Sequence, residues 1–187
     1  MREVYFKVLQ EYGDPDGGKL VVDKLPLNIV HAGIIQRVFP DTKFILVLRH
    51  PCDCVLSCFM QTFSLNNAMA NFITLQESAR FYAAVMELWS LQRQKLKLDV
   101  HVLKYEDLVQ DLEGTCRSLM KFLGLQWEEN LRNYQATAME RGVIYTPSYS
   151  QVIQPLYKEA SGRWTHYRKQ VQPVLPLLQP WIEAFGY

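Results

Sequence analysis

The sequence predicts an α/β fold in which a parallel sheet is flanked by helices. Three observations predict it. Short apolar runs of strand length, at residues 20–22, 44–48 and 100–104, alternate with longer stretches of helical period. Each run ends sharply: the first in the loop Asp23-Lys24-Leu25-Pro26, the second at Arg49-His50-Pro51, the third at Tyr105. With 187 residues, the chain is long enough to read residues 1–187 as one domain with a sizeable core.

Taken in order, residues 1–12 read as a helix whose apolar content is Val4, Tyr5, Phe6 and Leu9. Gly13-Asp14-Pro15-Asp16-Gly17-Gly18 is a turn. Leu20-Val21-Val22 is a short strand, left through the loop that holds Lys24. Residues 28–39 return to helical spacing, with Ile29, Val30, Gly33, Ile34 and Val38 roughly on one side. Pro40-Asp41-Thr42 turns into the second strand. A helix from Pro51 to about Gln61 follows, then a loop. Residues 68–98 read as helical with a break near Thr74, and Phe81, Val85, Leu88 and Trp89 keep the 3.6-residue period. Residues 100–104 form the third strand. Tyr105-Glu106-Asp107-Leu108 leads into a helix over 113–123 that Gly124 ends. A further helix is expected over 128–139. Residues 141–163 carry turn formers, and 174–185 are helical in spacing despite Pro176 and Pro180.

Composition excludes several classes of function. Lys plus Arg is 20 and Asp plus Glu is 19, so no broad basic surface for nucleic acid is expected, although a local basic pocket is compatible with that balance. No apolar run approaches the ~20 residues that a membrane span needs. The first residues, Met1-Arg2-Glu3-Val4-Tyr5-Phe6, contain no apolar signal core. Cysteines fall at 52, 54, 58 and 116. Three of them crowd one helix, which suits free thiols in a reducing, cytoplasmic setting better than a disulfide framework.

The chemistry concentrates around Arg49. A strand, a tight turn and a helix meet there. Proline at position 51 suits the first helical position, and His50 is then the N-cap. Asp53 falls in the first turn, where a carboxylate favours the positive end of the helix dipole. Free N–H groups at a helix start can seat an anion, and the Arg49 guanidinium adds a fixed, planar charge. Ser57 lies one turn beyond Asp53 on the same face. Ligands of parallel α/β sheets bind at the carboxyl ends of the strands. Lys24, Arg49 and Tyr105 each sit just past such an end, so the three converge on one rim.

Two other patterns fail on their chemistry. Gly13 to Lys19 has the spacing of a phosphate-binding P-loop, but Leu20 supplies no hydroxyl for magnesium, and the segment follows a helix instead of a strand. His50, Cys54 and Cys58 share a helical face at four-residue spacing, a pattern open to metal ligation, but the cap role occupies His50, and free cysteines commonly bury as small hydrophobes. No metal site is assigned.

The segments Val22-Asp23-Lys24-Leu25-Pro26-Leu27-Asn28, Phe39-Pro40-Asp41 and Leu48-Arg49-His50-Pro51-Cys52-Asp53-Cys54-Val55-Leu56-Ser57 resemble the sulfotransferases that use 3′-phosphoadenosine 5′-phosphosulfate. Tyr105-Glu106-Asp107-Leu108, with a helix ending Phe122-Leu123-Gly124, is similar to the adenine-side element of that family. Thr146-Pro147-Ser148, Gln154-Pro155 and Ser161-Gly162-Arg163-Trp164 resemble the branch related to tyrosylprotein sulfotransferases. The resemblance runs from about residue 20 onward. It implies a P-loop-NTPase-like parallel sheet. It implies sulfuryl transfer from 3′-phosphoadenosine 5′-phosphosulfate to an acceptor hydroxyl, with peptide tyrosine the acceptor of that branch and carbohydrate or small hydroxyl compounds left open. Carried onto this sequence, Arg49 and Ser57 hold the 3′-phosphate, Tyr105 contacts the adenine, and Arg163 closes over the cofactor. Lys24 is the catalytic cation, stabilising charge that develops during transfer. A fixed ammonium there would favour the transition state over the ground state without a metal.

One family feature has no counterpart. The family's 5′-phosphosulfate loop is a strand, a Ser/Gly/Thr-rich turn and a helix upstream of the lysine loop, and nothing in residues 1–23 matches it. The N-terminal strand-loop-helix is therefore expected to be missing, and the chain to be the C-terminal part of a longer enzyme. The alternative reading is a non-catalytic module that binds adenosine 3′,5′-bisphosphate.

Overall fold

A computed structural model describes residues 1–11, 20–133 and 160–187. Two strands form the sheet among these residues, β1 (Lys43–Leu48) and β2 (Asp99–Lys104), and they are hydrogen-bonded neighbours. The sheet is parallel, as the sequence predicts. A parallel pair needs a long crossover. Here α3 (Pro51–Met60) and α4 (Leu75–Lys95) supply it, where α1 (Arg2–Gln10) and α2 (Ala32–Val38) come earlier in the chain. After β2 come α5 (Tyr105–Gln110), α6 (Leu112–Leu123), α7 (Arg168–Val171) and α8 (Leu175–Ala184). No helix among the described residues is long and apolar enough to cross a membrane.

The described residues divide into two compact units. The first comprises residues 1–44 and 84–99. Its aromatic cluster joins Tyr5, Phe6 and Phe39, with Tyr5 and Phe39 ring centres 5.1 Å apart. Gln92, buried on α4, ties down the start of α2. Its Oε1 accepts from the Gly33 N–H at 2.6 Å, and its Nε2 donates to the Ile29 carbonyl at 3.3 Å. A helix start leaves N–H groups without intrahelical acceptors, and this side chain satisfies one of them. A Cβ on Gly33 would meet Leu96 Cδ1 at 3.3 Å, so the small residue fits the close approach.

The second unit comprises residues 45–83 and 100–187. Its core gathers Leu48, Leu103, Val55, Leu56, Ala79, Tyr82, Val171, Val174 and Leu178, all buried. Helix α8 packs on α3, and so does a 3₁₀ turn over Arg163–Tyr167. Caps fix the helix boundaries. Thr74 Oγ1 accepts from the Glu77 N–H at 3.1 Å and donates to the Glu77 carboxylate at 2.9 Å, which sets the expected break before α4. Asp111 caps α6 by accepting from the Gly114 N–H at 2.8 Å. Gly124 ends α6 at φ +74°, with its N–H on Lys121 O and the Leu125 N–H on Met120 O, a Schellman closure.

One predicted strand is absent. Residues 20–25 have no regular secondary structure and pair with no strand among the described residues. Leu20, Val21 and Val22 are 57%, 43% and 69% exposed, so this apolar run is not a buried strand. The helix expected over 128–139 begins as a 3₁₀ turn at Glu129–Asn133, and residues 134–139 lie outside the described residues. So do the glycine-rich turn at 13–18 and the motifs at 146–148 and 154–155.

Candidate functional site

The site is built where β1 ends. Leu48 is buried, the chain turns, and α3 starts with Pro51 in its first turn. His50 caps that helix as expected: its Nδ1 accepts from the Cys52 N–H at 3.2 Å. Its own backbone N–H donates to Glu106 Oε1 at 2.9 Å. Glu106 lies one residue into α5, so this bond ties the turn after β1 to the turn after β2. The other Glu106 oxygen accepts from the Tyr187 hydroxyl at 2.9 Å.

Arg49 stands at the centre. Its Cζ lies 5.5 Å from the centre of the Tyr105 ring, a cation–π distance. Its Nη2 donates to the Ala160 carbonyl. Its Nε is buried and has no hydrogen-bond partner among the described residues. A buried, unsatisfied guanidinium N–H costs free energy unless an acceptor arrives. A carboxylate or phosphate oxygen is the acceptor that suits a guanidinium fork. Ser57 lies two turns further along the same helix, half-exposed.

The segment 160–164 is fastened onto α3. Both oxygens of Asp53, a residue 1% exposed, accept backbone N–H groups: Oδ2 from Gly162 at 2.7 Å and Oδ1 from Trp164 at 2.7 Å. The Trp164 ring stacks on His50 with centres 5.0 Å apart and planes 20° from parallel. Arg163, between the two bound amides, is exposed.

This packing sets the local electrostatics. Burial pulls the His50 pKa below its usual value, and the charges of Asp53 and Glu106 only partly offset that. Burial, helped by Asp53, pushes the Cys52 thiol up to about 11. Cys54 and Cys58 share a hydrogen bond one helical turn apart. That bond raises the Cys54 pKa and lowers that of Cys58, which the Arg49 charge lowers further.

Of the residues singled out in sequence, the structure brings Arg49 and Tyr105 into contact and carries Ser57 and Arg163 in the same unit. Lys24 belongs to the other unit. It is exposed in its loop, where Asp23 accepts from the Tyr5 hydroxyl and from Asn28 Nδ2, each at 3.2 Å. Sequence reasoning missed two carboxylates. It placed Asp53 as a helix-dipole residue, where the structure shows it clamping a segment more than a hundred positions away. It quoted Glu106 only inside a motif. The only signal in the sequence was a carboxylate in each turn motif, at Asp53 and at Glu106.

Comparison with known proteins adds a second line. Residues 1–129 match the profile of the sulfotransferase family. The chain is 28% identical over 163 residues to an uncharacterized protein of Aquifex aeolicus, covering 85% of this chain and 21% of that protein. It is 24% identical to protein-tyrosine sulfotransferase 2 of Gallus gallus and 22% identical to protein-tyrosine sulfotransferase 1 of Danio rerio, along its whole length in both cases. It spans about half the length of those two relatives, 51% and 53%. Among solved structures, it is similar to the sulfotransferase domain from the curacin biosynthetic pathway, with a TM-score of 0.68 at 18% identity. That likeness covers all of this chain and 68% of the other, and it shows the fold.

Proposed function

Because the chain belongs to the sulfotransferase family, we propose that its second unit seats 3′-phosphoadenosine 5′-phosphosulfate by the 3′-phosphate, in an enzyme that transfers a sulfuryl group to an acceptor hydroxyl. The observation that carries this reading is the Arg49 guanidinium, which lies over the Tyr105 ring and holds a buried Nε without a partner among the described residues, just before α3. In this reading Arg49 and Ser57 hold the 3′-phosphate. Tyr105 offers its ring to the adenine, and Arg163 brings a second guanidinium from the fastened segment. The bound nucleotide supplies the sulfuryl group. Lys24 supplies fixed positive charge for the negative charge that builds during transfer. With that cation in place the reading calls for no metal.

Likeness to two protein-tyrosine sulfotransferases supports a peptide tyrosine as the acceptor. We take the two units as parts of one sulfotransferase domain. The four cysteines are free thiols, in keeping with a reducing, cytoplasmic setting.

Isothermal titration of the 187-residue chain with adenosine 3′,5′-bisphosphate tests the seat. Replacing Arg49 by Ala should weaken binding by about tenfold to a hundredfold, the range for one charged hydrogen-bonding partner. Equal affinity in the two proteins would contradict the reading.

A further inference from the structure

Asp53 is the most deeply buried charged residue described, and among the described residues it forms no ion pair. Burying a carboxylate costs free energy unless hydrogen bonds satisfy it. Here both oxygens are spent on backbone N–H groups of one short segment, at 2.7 Å each. Charge-assisted bonds of that length are about twice as strong as neutral ones. They also fix geometry, because the two amides belong to Gly162 and Trp164, the residues on either side of Arg163.

The rest of the segment is arranged to accept this grip. Gly162 adopts φ +74°, a left-handed conformation that a side chain would strain. Thr165 closes the following turn by donating its hydroxyl to the Gly162 carbonyl at 2.7 Å. Trp164 lies flat on His50, and the Ala160 carbonyl accepts from Arg49. Thus Arg49, His50 and Asp53, within one helical turn of one another, hold the segment at Ala160, Gly162 and Trp164. Between the two gripped residues Gly162 and Trp164, Arg163 is left exposed and, among the described residues, without an ion pair.

We propose that Asp53 is a positioning residue: it locks the backbone on both sides of Arg163 so that this guanidinium is presented to the same phosphate-bearing ligand as Arg49. The role rests on the reading that this unit binds adenosine 3′,5′-bisphosphate. Asp53 itself does not touch the ligand. An Asn at this position would keep one acceptor and turn its NH₂ against a backbone N–H, so the grip is lost with almost no change in volume.

The test is a double-mutant cycle read by calorimetry with adenosine 3′,5′-bisphosphate. Asp53→Asn and Arg163→Ala should each weaken binding about tenfold, and the double variant should be no weaker than either single one. A purely structural Asp53 would lower the melting temperature while the folded protein kept its affinity, or the two losses would multiply. Either result overturns the role. Absence of binding by the unsubstituted chain overturns the ligand reading itself, and this role falls with it. Should Asp53→Asn not fold, amide exchange decides. Saturating ligand should slow exchange at Gly162 and Trp164 in the unsubstituted chain and leave it unchanged in Arg163→Ala. Equal slowing in both proteins overturns the proposal.

Discussion

His50 is committed in three directions: its ring nitrogen caps α3, its backbone N–H reaches Glu106, and its face carries Trp164. Capping requires the neutral ring, because a protonated imidazole has no acceptor. Burial works the same way and holds the folded-state pKa below the ordinary 6.5. The unfolded chain therefore takes up this proton at higher pH than the folded one. Between the two values the unfolded state binds more protons, so stability falls as pH falls, and above 6.5 the contribution is fully present. Urea denaturation between about pH 7.5 and about pH 5 should show that loss, and the slope should be shallower in His50→Asn, which keeps a capping oxygen. A slope unchanged in the variant would assign the acid sensitivity elsewhere. At this scale the sequence was legible where chemistry is local. Arg49, the proline in the first turn and the histidine cap all follow from neighbours in the chain. The clamps made by Asp53 and Glu106 were not legible, because their partners lie far away in sequence and only folding brings them together.

Among the elements, helices were read better than strands. A helix announces its ends through its own residues. The break near Thr74 and the stop at Gly124 are legible in the sequence and recur in the structure, where Thr74 caps α4 through Glu77 and Asp111 caps α6 through Gly114. Gly124 is the sharpest case, since at φ +74° any Cβ meets the left-handed penalty although no atom crowds it. Gly124→Ala should thus destabilise the chain by about 1–2 kcal/mol, measured as a lowered urea midpoint with unchanged slope. No shift would mean that the closure of α6 contributes little. A strand instead needs a neighbour. Leu20-Val21-Val22 has strand composition, but the run stays exposed and unpaired among the described residues. Composition records what a segment could bury and says nothing of whether a partner is beside it. The 44–48 and 100–104 runs found each other, and so those strands formed.

For the whole molecule, the α/β class with a parallel sheet was legible from the alternation of short apolar runs and helical stretches. The exposure of its outward row was not: Ile45, Val47 and Val102 are 36%, 62% and 46% exposed. Alternation predicts which side chains share a face, and coverage of that face depends on what else packs there. The chain carries nearly balanced charge, so binding of a doubly phosphorylated nucleotide has to come from a local site and not from a broad positive field. A local site makes a demand that a broad field does not, because it must distinguish where on the ligand the phosphate is. The most direct measurement is therefore a calorimetric comparison of adenosine 3′,5′-bisphosphate with adenosine 5′-monophosphate on the 187-residue chain. The account predicts a preference of about tenfold or more for the 3′-phosphorylated nucleotide, abolished in Arg49→Ala. Equal affinity for the two nucleotides, or a preference that survives the loss of Arg49, would contradict it.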